Sequence, residues 1–259
     1  MKKQKNLIFI IFIFLPLLAS WFSFSIRADL FLSIIFFLII PSTVLSFVQK
    51  QSIIKSLIFS LISVPSLLVI DYIGFQSGQW VVPDTIFPFK IFKIVPIEDS
   101  LWAFFISYEI VMFYEYFLDA QKKGEYLKKK FIPLLFIAYF IPFLWFLFGF
   151  KFPALFKIKY FYILWGSVLL LIPLLLFLFK YPKLIGKFFI VGVYFFYLNF
   201  AYELSALALN WWHFPRTGDF LGWINVGQLF FPFEEFFFYV MLFSIGWLVW
   251  YEYFDDDRK

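Results

Sequence analysis

Residues 161–179 read FYILWGSVLLLIPLLLFLF, a continuous run without a charged side chain. A helix rises about 1.5 Å per residue, so roughly 20 residues cross the roughly 30 Å of hydrocarbon in a membrane. The rest of the 259-residue chain has the same character, since 63% of its residues are hydrophobic and 15% are charged. A soluble domain of this composition would expose a large apolar surface to water. The sequence therefore predicts an integral membrane protein.

Apolar segments of this kind predict an all-α protein with eight transmembrane helices. The segments lie near 7–24, 30–48, 53–73, 100–118, 131–150, 160–179, 186–209 and 233–253. With both termini placed in the cytoplasm, 15 of the 22 lysines and arginines lie on the inner side and 7 on the outer side. This bias follows the positive-inside rule, so we expect a multi-pass protein of the plasma membrane with both termini cytoplasmic. Two long loops, 74–99 and 210–232, then lie on the outer face.

These two loops and their flanking helices resemble each other. Four pairs match at one constant offset along the chain: Asp71 and Glu203, Trp80 and Trp212, Pro83 and Pro215, and Pro41 and Pro173. Further along, the segment PIED at 96–99 matches PFEE at 232–235, and the tetrapeptide YEYF at 114–117 recurs at 251–254. The ordered series predicts a tandem duplication.

The predicted repeats span residues 1–125 and 126–259, with four helices in each. Because four is an even number, both copies enter the membrane in the same direction. We therefore expect two parallel four-helix repeats related by a pseudo-two-fold axis along the membrane normal, with a shared site between them.

The ends and starts of helices bring three carboxyl groups per repeat to one membrane face. The six residues are Asp71, Glu98 and Asp99 in the first repeat and Glu203, Glu234 and Glu235 in the second. An ionised group inside a span costs roughly 2.5–3.5 kcal/mol, so such acids are functional candidates. Acids that follow a proline at a helix start also stabilise an ordinary helix, and this structural interpretation has equal weight for Glu98 and Asp99.

Other polar residues narrow the choice of chemistry. Glu109 lies in the middle of a predicted span, and either a catalytic role or pairing with a polar neighbour such as Asn199 or a tyrosine is open. Glu115 lies among lysines at a predicted cytoplasmic helix end, which indicates an interfacial anchor. The single histidine, His213, excludes a multi-histidine metal site, and the absence of cysteine excludes thiolate ligands and disulfides.

Cofactors and nucleic-acid partners are not expected. No glycine-rich nucleotide motif is present, so the sequence predicts neither a bound nucleotide cofactor nor a metal. A net charge of +5 spread over short flanks predicts no nucleic-acid partner.

The acid at a helix end, the Trp and Pro that follow it, and the Pro-x-Glu-(Glu/Asp) helix start together resemble the lycopene cyclase domain family. These are non-flavin, membrane-integral carotenoid cyclases, which occur as two subunits or as one fused chain with two repeats. The matching stretches are 71–102 and 203–238, and Asp99 departs from the second Glu of the motif. The resemblance implies cofactor-independent cyclisation of the end groups of lycopene, or of a related acyclic carotenoid, to a β-type ring. Such an enzyme is an isomerase of the intramolecular lyase type.

The resemblance also implies roles for individual residues. We expect Glu98 and Glu234 to be the primary acid–base residues, with Asp99 and Glu235 beside them. Asp71 and Glu203 would set the charge state of these acids. Four aromatic residues are expected to bind the carotenoid: Trp80, Trp102, Trp212 and Phe238. The three tryptophans are also expected to stabilise a cation by about 0.5–2 kcal/mol each. The lipid bilayer surrounds the protein, and other enzymes of the carotenoid pathway are expected partners.

Two other functions stay open at the level of sequence. A hydratase would use the same acid chemistry but let water capture the cation at the carotenoid end group. A proton-coupled carrier would also combine parallel repeats with intramembrane carboxylates. The clustering of the acids at one face favours the enzyme over the carrier.

Overall fold

The computed structural model describes residues 2–119, 140–216 and 219–255, which form a bundle of α-helices. The helices in these residues are α1 (Lys2–Ile26), α2 (Leu30–Val48), α3 (Ile53–Gln76), α4 (Ile97–Phe117), α5 (Ile141–Gly149), α6 (Phe161–Lys180), α7 (Ile185–Leu209) and α8 (Glu235–Phe254). Within the described residues, six of them are long and apolar enough to cross a membrane, namely α1, α2, α3, α6, α7 and α8. The helical architecture is confirmed, and the six helices indicate a multi-pass membrane protein.

The predicted segments agree with these helices where the chain is described. The segment 30–48 coincides with α2, and most other boundaries differ by a few residues. The first part of the fifth segment, 131–139, and the predicted repeat boundary at 125–126 lie outside the described residues. Below, "first half" means residues 2–119 and "second half" means the described residues from 140 onward.

Large apolar side chains cover the outer surface of the bundle. Phe148 and Phe179, for example, are 90% and 91% exposed. Contiguous apolar surface of this extent is unfavourable in water and is what a lipid-facing helix requires. The interior of the bundle is packed with aromatic and aliphatic side chains, and α4 is mostly buried there, packing most extensively against α3.

Two helices are widened at the same place. A π-helical turn covers Ile35–Ile39 in α2 and Ser167–Leu171 in α6, and each is followed shortly by a proline, Pro41 or Pro173. Proline lacks an N–H group and its ring clashes with the carbonyl of the preceding turn, so the helix relaxes into a wider turn there. The two π-helical turns are separated by the same interval along the chain as the two prolines.

Each half also carries a short β-hairpin before its last helix. The first consists of β1 (Lys90–Ile91) and β2 (Val95–Pro96), and the second of β3 (Trp223–Val226) and β4 (Leu229–Pro232). Both hairpins are antiparallel, and each ends at the proline that precedes α4 or α8. The hairpins lead the chain back to the start of a helix without crossing the bundle.

The two long loops meet at one end of the bundle, which we call the loop end. Val81 and His213 form an antiparallel β-bridge, with backbone N···O distances of 2.9 and 3.0 Å. The loops therefore lie on the same side of the molecule, as the sequence predicts. His213 is exposed, and its backbone supplies this contact.

The opposite end, which we call the far end, holds a buried ion network. Lys55 Nζ lies 2.7 Å from Glu115 Oε1 and 2.6 Å from Asp255 Oδ2. The Tyr251 hydroxyl lies 2.6 Å from Glu115 Oε1 and 2.9 Å from Asp255 Oδ2, so its single proton can be donated to either acid, and Ser52 donates a hydrogen bond to Glu115. The interfacial position predicted for Glu115 is wrong, because this residue is 2% exposed and its partners satisfy its charge inside the bundle.

A second contact at the far end mirrors the first. Tyr251 of the second half donates to Glu115 of the first, and Tyr114 of the first half donates to Glu252 of the second. Both carboxylates are buried. Each Tyr-Glu dipeptide thus contacts the other one, in a crossed exchange between the halves.

Candidate active site

A cavity of about 110 Å³ lies at the loop end, between the two halves. Three carboxyl side chains line it: Asp71, Asp99 and Glu235. Eight aromatic side chains surround them: Trp80, Trp102, Tyr162, Trp165, Trp212, Phe214, Tyr239 and Phe243. The remaining lining is aliphatic, so the carboxyl groups face a largely apolar space. We call this space the carboxyl cavity.

Six of the ten residues predicted for the site line the carboxyl cavity. They are Asp71, Asp99, Glu235, Trp80, Trp102 and Trp212. A seventh, Glu203, lies directly behind the wall, because its carboxyl group is hydrogen-bonded to that of Glu235. Glu98, Glu234 and Phe238 do not line the cavity. The loops, the helix ends and the helix starts thus bring residues from both halves to one place.

The rings of the two halves contact each other across the cavity. The Trp80 and Tyr162 rings lie 5.5 Å apart in an edge-to-face arrangement, and the Trp102 and Tyr239 rings lie 5.6 Å apart. Such edge-to-face and tilted pairs favour aromatic packing and hold the walls in place. The negative electrostatic potential over the ring faces also favours binding of a cation in the cavity.

The second-half acids are held by several hydrogen bonds. Glu203 and Glu235 are bonded to each other, the Tyr162 hydroxyl donates to Glu235 Oε2, and Trp212 Nε1 donates to Glu203 Oε2 at 3.1 Å. Glu203 has no exposed surface, and Glu235 is 5% exposed. A hydrogen bond between two neighbouring carboxyl groups requires a proton on at least one of them.

The first-half acids have fewer partners. Asp71 near the end of α3 and Asp99 at the start of α4 both face the cavity, close enough for their charges to interact. Glu98 and Lys90 also act electrostatically on Asp99. Among the described residues, no side chain or backbone group donates a hydrogen bond to Asp71 or Asp99.

Glu98 and Glu234 hold the loops against the helix starts. Glu98 Oε1 accepts hydrogen bonds from the backbone N–H groups of Ile86 (2.8 Å) and Phe87 (3.1 Å). In the second half, Glu234 Oε1 accepts one from the Leu221 N–H at 2.5 Å. Both glutamates are completely buried. This geometry shows a loop-fixing contact for both glutamates, neither of which lines the cavity, and their primary acid–base role stays a prediction.

At two glycines near the site, an aromatic ring packs directly against the backbone of a helix. A Cβ on Gly166 would lie 2.3 Å from Phe238, and a Cβ on Gly74 would lie 2.2 Å from the Trp80 ring. No side chain fits at either position. Phe238, predicted to bind substrate, is therefore packed against α6 outside the cavity, whereas Trp80 is packed against α3 as part of its wall.

Glu109 lies apart from the cavity. It is completely buried in α4, near Tyr194, and neither of its oxygens has a hydrogen-bond partner among the described residues. Asn199, the partner that the sequence suggests, donates its amide N–H to the Tyr239 carbonyl instead. The structure gives Glu109 no place in the carboxyl cavity.

The sequence interpretation missed Tyr162, Tyr239 and Phe214. A signal existed for two of them, because the pair Leu30 and Tyr162 and the pair Val82 and Phe214 each have the offset of the repeat, and all four residues line the cavity. The two residues of each pair differ in type, so the pairs can be recognised only when every residue of the first half is compared with the residue at that offset in the second half.

Metal binding finds no support in this part of the chain. In the described residues, no cluster of three or more His, Cys, Asp or Glu side chains is placed to hold a metal ion. The carboxyl cavity can hold and exchange protons inside an apolar, aromatic enclosure. Comparison with known proteins adds no further constraint: no family model, no curated protein and no solved structure matches the chain significantly.

Proposed function

We propose that the chain is a membrane enzyme that cyclises the end groups of lycopene, or of a related acyclic carotenoid, by acid–base chemistry without a cofactor. The single observation that carries the proposal is the carboxyl cavity, in which acids and tryptophans of both halves surround one apolar space. The same observation supports the resemblance to the lycopene cyclase domain family, because most of the residues that carry the resemblance converge there.

The proposed architecture has eight spans in two parallel repeats, 1–125 and 126–259. The π-helical turns at equivalent places in α2 and α6, one hairpin in each half and the bridge between the two loops support it, although α8 also has a π-helical segment (Glu235–Leu242) that α4 lacks. The crossed Tyr114–Glu252 and Tyr251–Glu115 contacts support it further. A contact and its exchanged copy are what a two-fold axis between similar units produces.

The carboxyl cavity is small compared with a carotenoid. Its volume of about 110 Å³ is below the roughly 150 Å³ of an engineered cavity that holds benzene. A ring-forming end group, with six ring carbons and three methyl groups, is larger than benzene, so the side chains of the wall would move apart to admit one end group, and a whole carotenoid is much longer. The remaining polyene would extend from the cavity along the apolar helices into the bilayer.

Cyclisation changes no net oxidation state, so protons and enclosure are all that it requires. A carboxyl group donates a proton to the terminal C1=C2 double bond, which leaves a tertiary cation at C1. The C5=C6 double bond attacks C1, which closes the ring and moves the positive charge to C5. A carboxylate then removes a proton from the ring. The aromatic faces of Trp80, Trp102 and Trp212 would stabilise the cation.

In this proposal the acids that line the cavity carry the protons, and Glu98 and Glu234 position the loops that close it. Both cations of the reaction are reactive enough for water to capture them. The apolar lining and the loops over the cavity keep water away from them. A leak of water at this point would convert the same enzyme into a hydratase.

Expression in a lycopene-accumulating host, with chromatography of the pigments, tests the proposal. The wild-type chain should convert lycopene to a cyclised product. A matched variant that lacks both catalytic protons, Asp99→Asn combined with Glu235→Gln, should accumulate in the membrane and leave lycopene intact. Lycopene that stays unchanged with well-expressed wild-type protein would overturn the cyclase assignment, and a hydroxylated acyclic product would assign a hydratase.

The proposed localisation is the plasma membrane, with both termini in the cytoplasm and the loop end outside. The carotenoid would then enter from the outer leaflet, close to the cavity. Other enzymes of the carotenoid pathway would deliver the acyclic substrate within the same bilayer.

A further inference from the structure

The two acids at the starts of α4 and α8, Asp99 and Glu235, have different surroundings in the same cavity. The difference begins at one pair of equivalent positions in the two halves, Leu30 and Tyr162, both of which line the cavity. The Tyr162 hydroxyl donates a hydrogen bond to Glu235 Oε2. Leu30 has no hydroxyl group, so the corresponding acid of the first half lacks this donor.

The second-half pair is built to hold a negative charge. Tyr162 donates to Glu235, Trp212 donates to Glu203, and the two acids share a hydrogen bond. Donors directed at a carboxylate favour its ionised form. Each acid of this pair thus has a donor that stabilises its carboxylate form. The hydroxyl of Tyr239 also faces these acids.

The first-half pair is built differently. Asp99 interacts with the like charges of Asp71 and Glu98. The Tyr202 hydroxyl also lies close enough to interact electrostatically with Asp99. Lys90, in the partly exposed strand β1, is a cation that acts electrostatically on Asp99. Neighbouring carboxylates in an apolar enclosure favour a neutral acid that keeps its proton. Asp99 thus faces the cavity with like charges beside it and receives no hydrogen bond from the described residues.

We propose that the two acids have separate roles: Asp99 donates the proton that begins the reaction, and Glu235, positioned by Tyr162, accepts the proton that ends it. The chemical roles rest on the proposed cyclisation, whereas the difference in protonation is a property of the substrate-free protein. Tyr162 is a positioning residue, because it acts through Glu235.

The proton balance of this scheme closes within the site. The O–H bond of Asp99 breaks as a C–H bond forms at C2, and a ring C–H bond breaks as an O–H bond forms on Glu235. Asp99 is then a carboxylate and Glu235 is neutral. Both line one cavity, so transfer of the proton from Glu235 back to Asp99 restores the starting state without an oxidant, a reductant or a net uptake of protons.

Infrared titration of the purified, substrate-free protein in liposomes tests the protonation difference. The stretching band of protonated carboxyl groups is followed against pH in wild type, Asp99→Asn and Glu235→Gln, which assigns a component to each acid. Tyr162→Phe should keep the Glu235 component protonated to higher pH by roughly one to two pH units, because a hydrogen bond to a charged group is lost. The matched control is Tyr108→Phe, whose hydroxyl contacts Ser46 at 2.8 Å, away from the acids.

Two results would overturn the proposal in this experiment. One is a Glu235 component that Tyr162→Phe and Tyr108→Phe leave equally in place. The other is an Asp99 component that ionises at lower pH than the Glu235 component in the wild type. Neither result depends on substrate, so the proposal about protonation can fail while the cyclase assignment stands, and the reverse also holds.

Product analysis in the lycopene-accumulating host tests the division of roles. Asp99→Asn should give no conversion, since no cation forms. Glu235→Gln should still consume lycopene but lose the wild-type ring, with the cation quenched at another carbon or by water. The same complete loss in both variants, with both proteins folded in the membrane, would show that the acids act as one unit and would overturn the proposal.

Discussion

The bundle buries carboxyl groups at both of its ends, and their surroundings are opposite. At the far end, Glu115 contacts Lys55, Tyr251 and Ser52, and it shares the Lys55 cation with Asp255. At the loop end, Asp99 faces a cavity and receives no hydrogen bond from the described residues. A buried charge with a cation and several donors is fixed in one state, and removing a partner is costly. A carboxyl group that faces an open apolar space is free to exchange its proton.

The difference separates two uses of the same residue type in one molecule. The far end joins the halves, since Lys55 and Glu115 belong to the first half and Asp255 and Tyr251 to the second. The loop end leaves a space between them. The two ends therefore differ in the partners of their acids, and Asp99 is partly exposed to the cavity whereas Glu115 is buried.

The largest expected effect concerns the neighbouring acids Asp99 and Glu98. Asp99→Asn removes the proton that faces the cavity, so conversion of lycopene should fall by about 10²–10⁴-fold, the usual contribution of a general acid. Glu98→Gln keeps an oxygen that can accept from the Ile86 and Phe87 N–H groups, and conversion should stay within a few-fold of wild type. Pigment chromatography at matched membrane expression measures both. An inactive Glu98→Gln beside an active Asp99→Asn would restore the roles predicted from the sequence.

The second prediction concerns the far end. Lys55→Met leaves Glu115 and Asp255 buried without their cation, so the free energy of unfolding should fall by about 3–5 kcal/mol. Denaturant unfolding in detergent measures the loss, and the pigments made by the surviving folded protein should be unchanged. Adding Glu115→Gln and Asp255→Asn to this variant should recover part of the stability. A fully stable Lys55→Met protein would contradict the structural role of the network.

The third prediction concerns the wall of the cavity. Gly74→Ala places a methyl group against the Trp80 ring, which must move, so conversion should fall by roughly 10- to 100-fold through misplacement of the ring. The matched control is Gly186→Ala, because a Cβ at Gly186 meets no atom within 4 Å. Near-ultraviolet circular dichroism reports the movement of the tryptophan. Equal conversion by both variants would remove Trp80 from the site.

The last prediction concerns which end of the protein faces outward, and its variants should affect function least. The chain contains no cysteine, so a single introduced cysteine is a unique label site. Asp84→Cys in the first loop and Lys183→Cys at the far end replace exposed side chains and should leave function intact. In whole cells, a membrane-impermeant maleimide should label only the former. Labelling of Lys183→Cys alone would invert the proposed orientation.

Much of the fold could be predicted from the sequence because membrane spans depend on the composition of long segments. The segments 30–48 and 160–179 match α2 and α6 almost residue for residue. Convergence of the loops was also predictable, because the repeated motifs placed both on one face. The hairpins were not predicted, since strands this short carry no distinct hydrophobic period.

The site could be predicted only to within one position at each helix start. Adjacent residues on a helix point about 100° apart, so Glu98 and Asp99 cannot both face the cavity. The Pro-x-Glu motif places both at the same depth and does not tell which one faces inward. The hydrogen bonds from the Ile86 and Phe87 N–H groups to Glu98 decide it, and they depend on how the loop folds.

The far-end network escaped the sequence for a related reason. Glu115 lies near the lysines of a predicted cytoplasmic flank, where an exposed side chain is the usual outcome. Its partners come from remote parts of the chain, since Lys55 lies in α3 and Asp255 just beyond α8. Pairings between such distant segments depend on helix packing, which no local pattern encodes.

The crossed contacts Tyr114–Glu252 and Tyr251–Glu115 bear on how such a chain can originate. A single four-helix unit with one Tyr-Glu dipeptide can make both contacts by associating with its own copy, since each copy supplies the hydroxyl that the other needs. Fusion of the two genes then keeps this interface intact in the fused chain. Under the proposed duplication, Leu30 and Tyr162 could become different only after fusion. A symmetric ancestor would have carried two equal acids, and the proposed difference between Asp99 and Glu235 would have become accessible when the copies were joined in one chain.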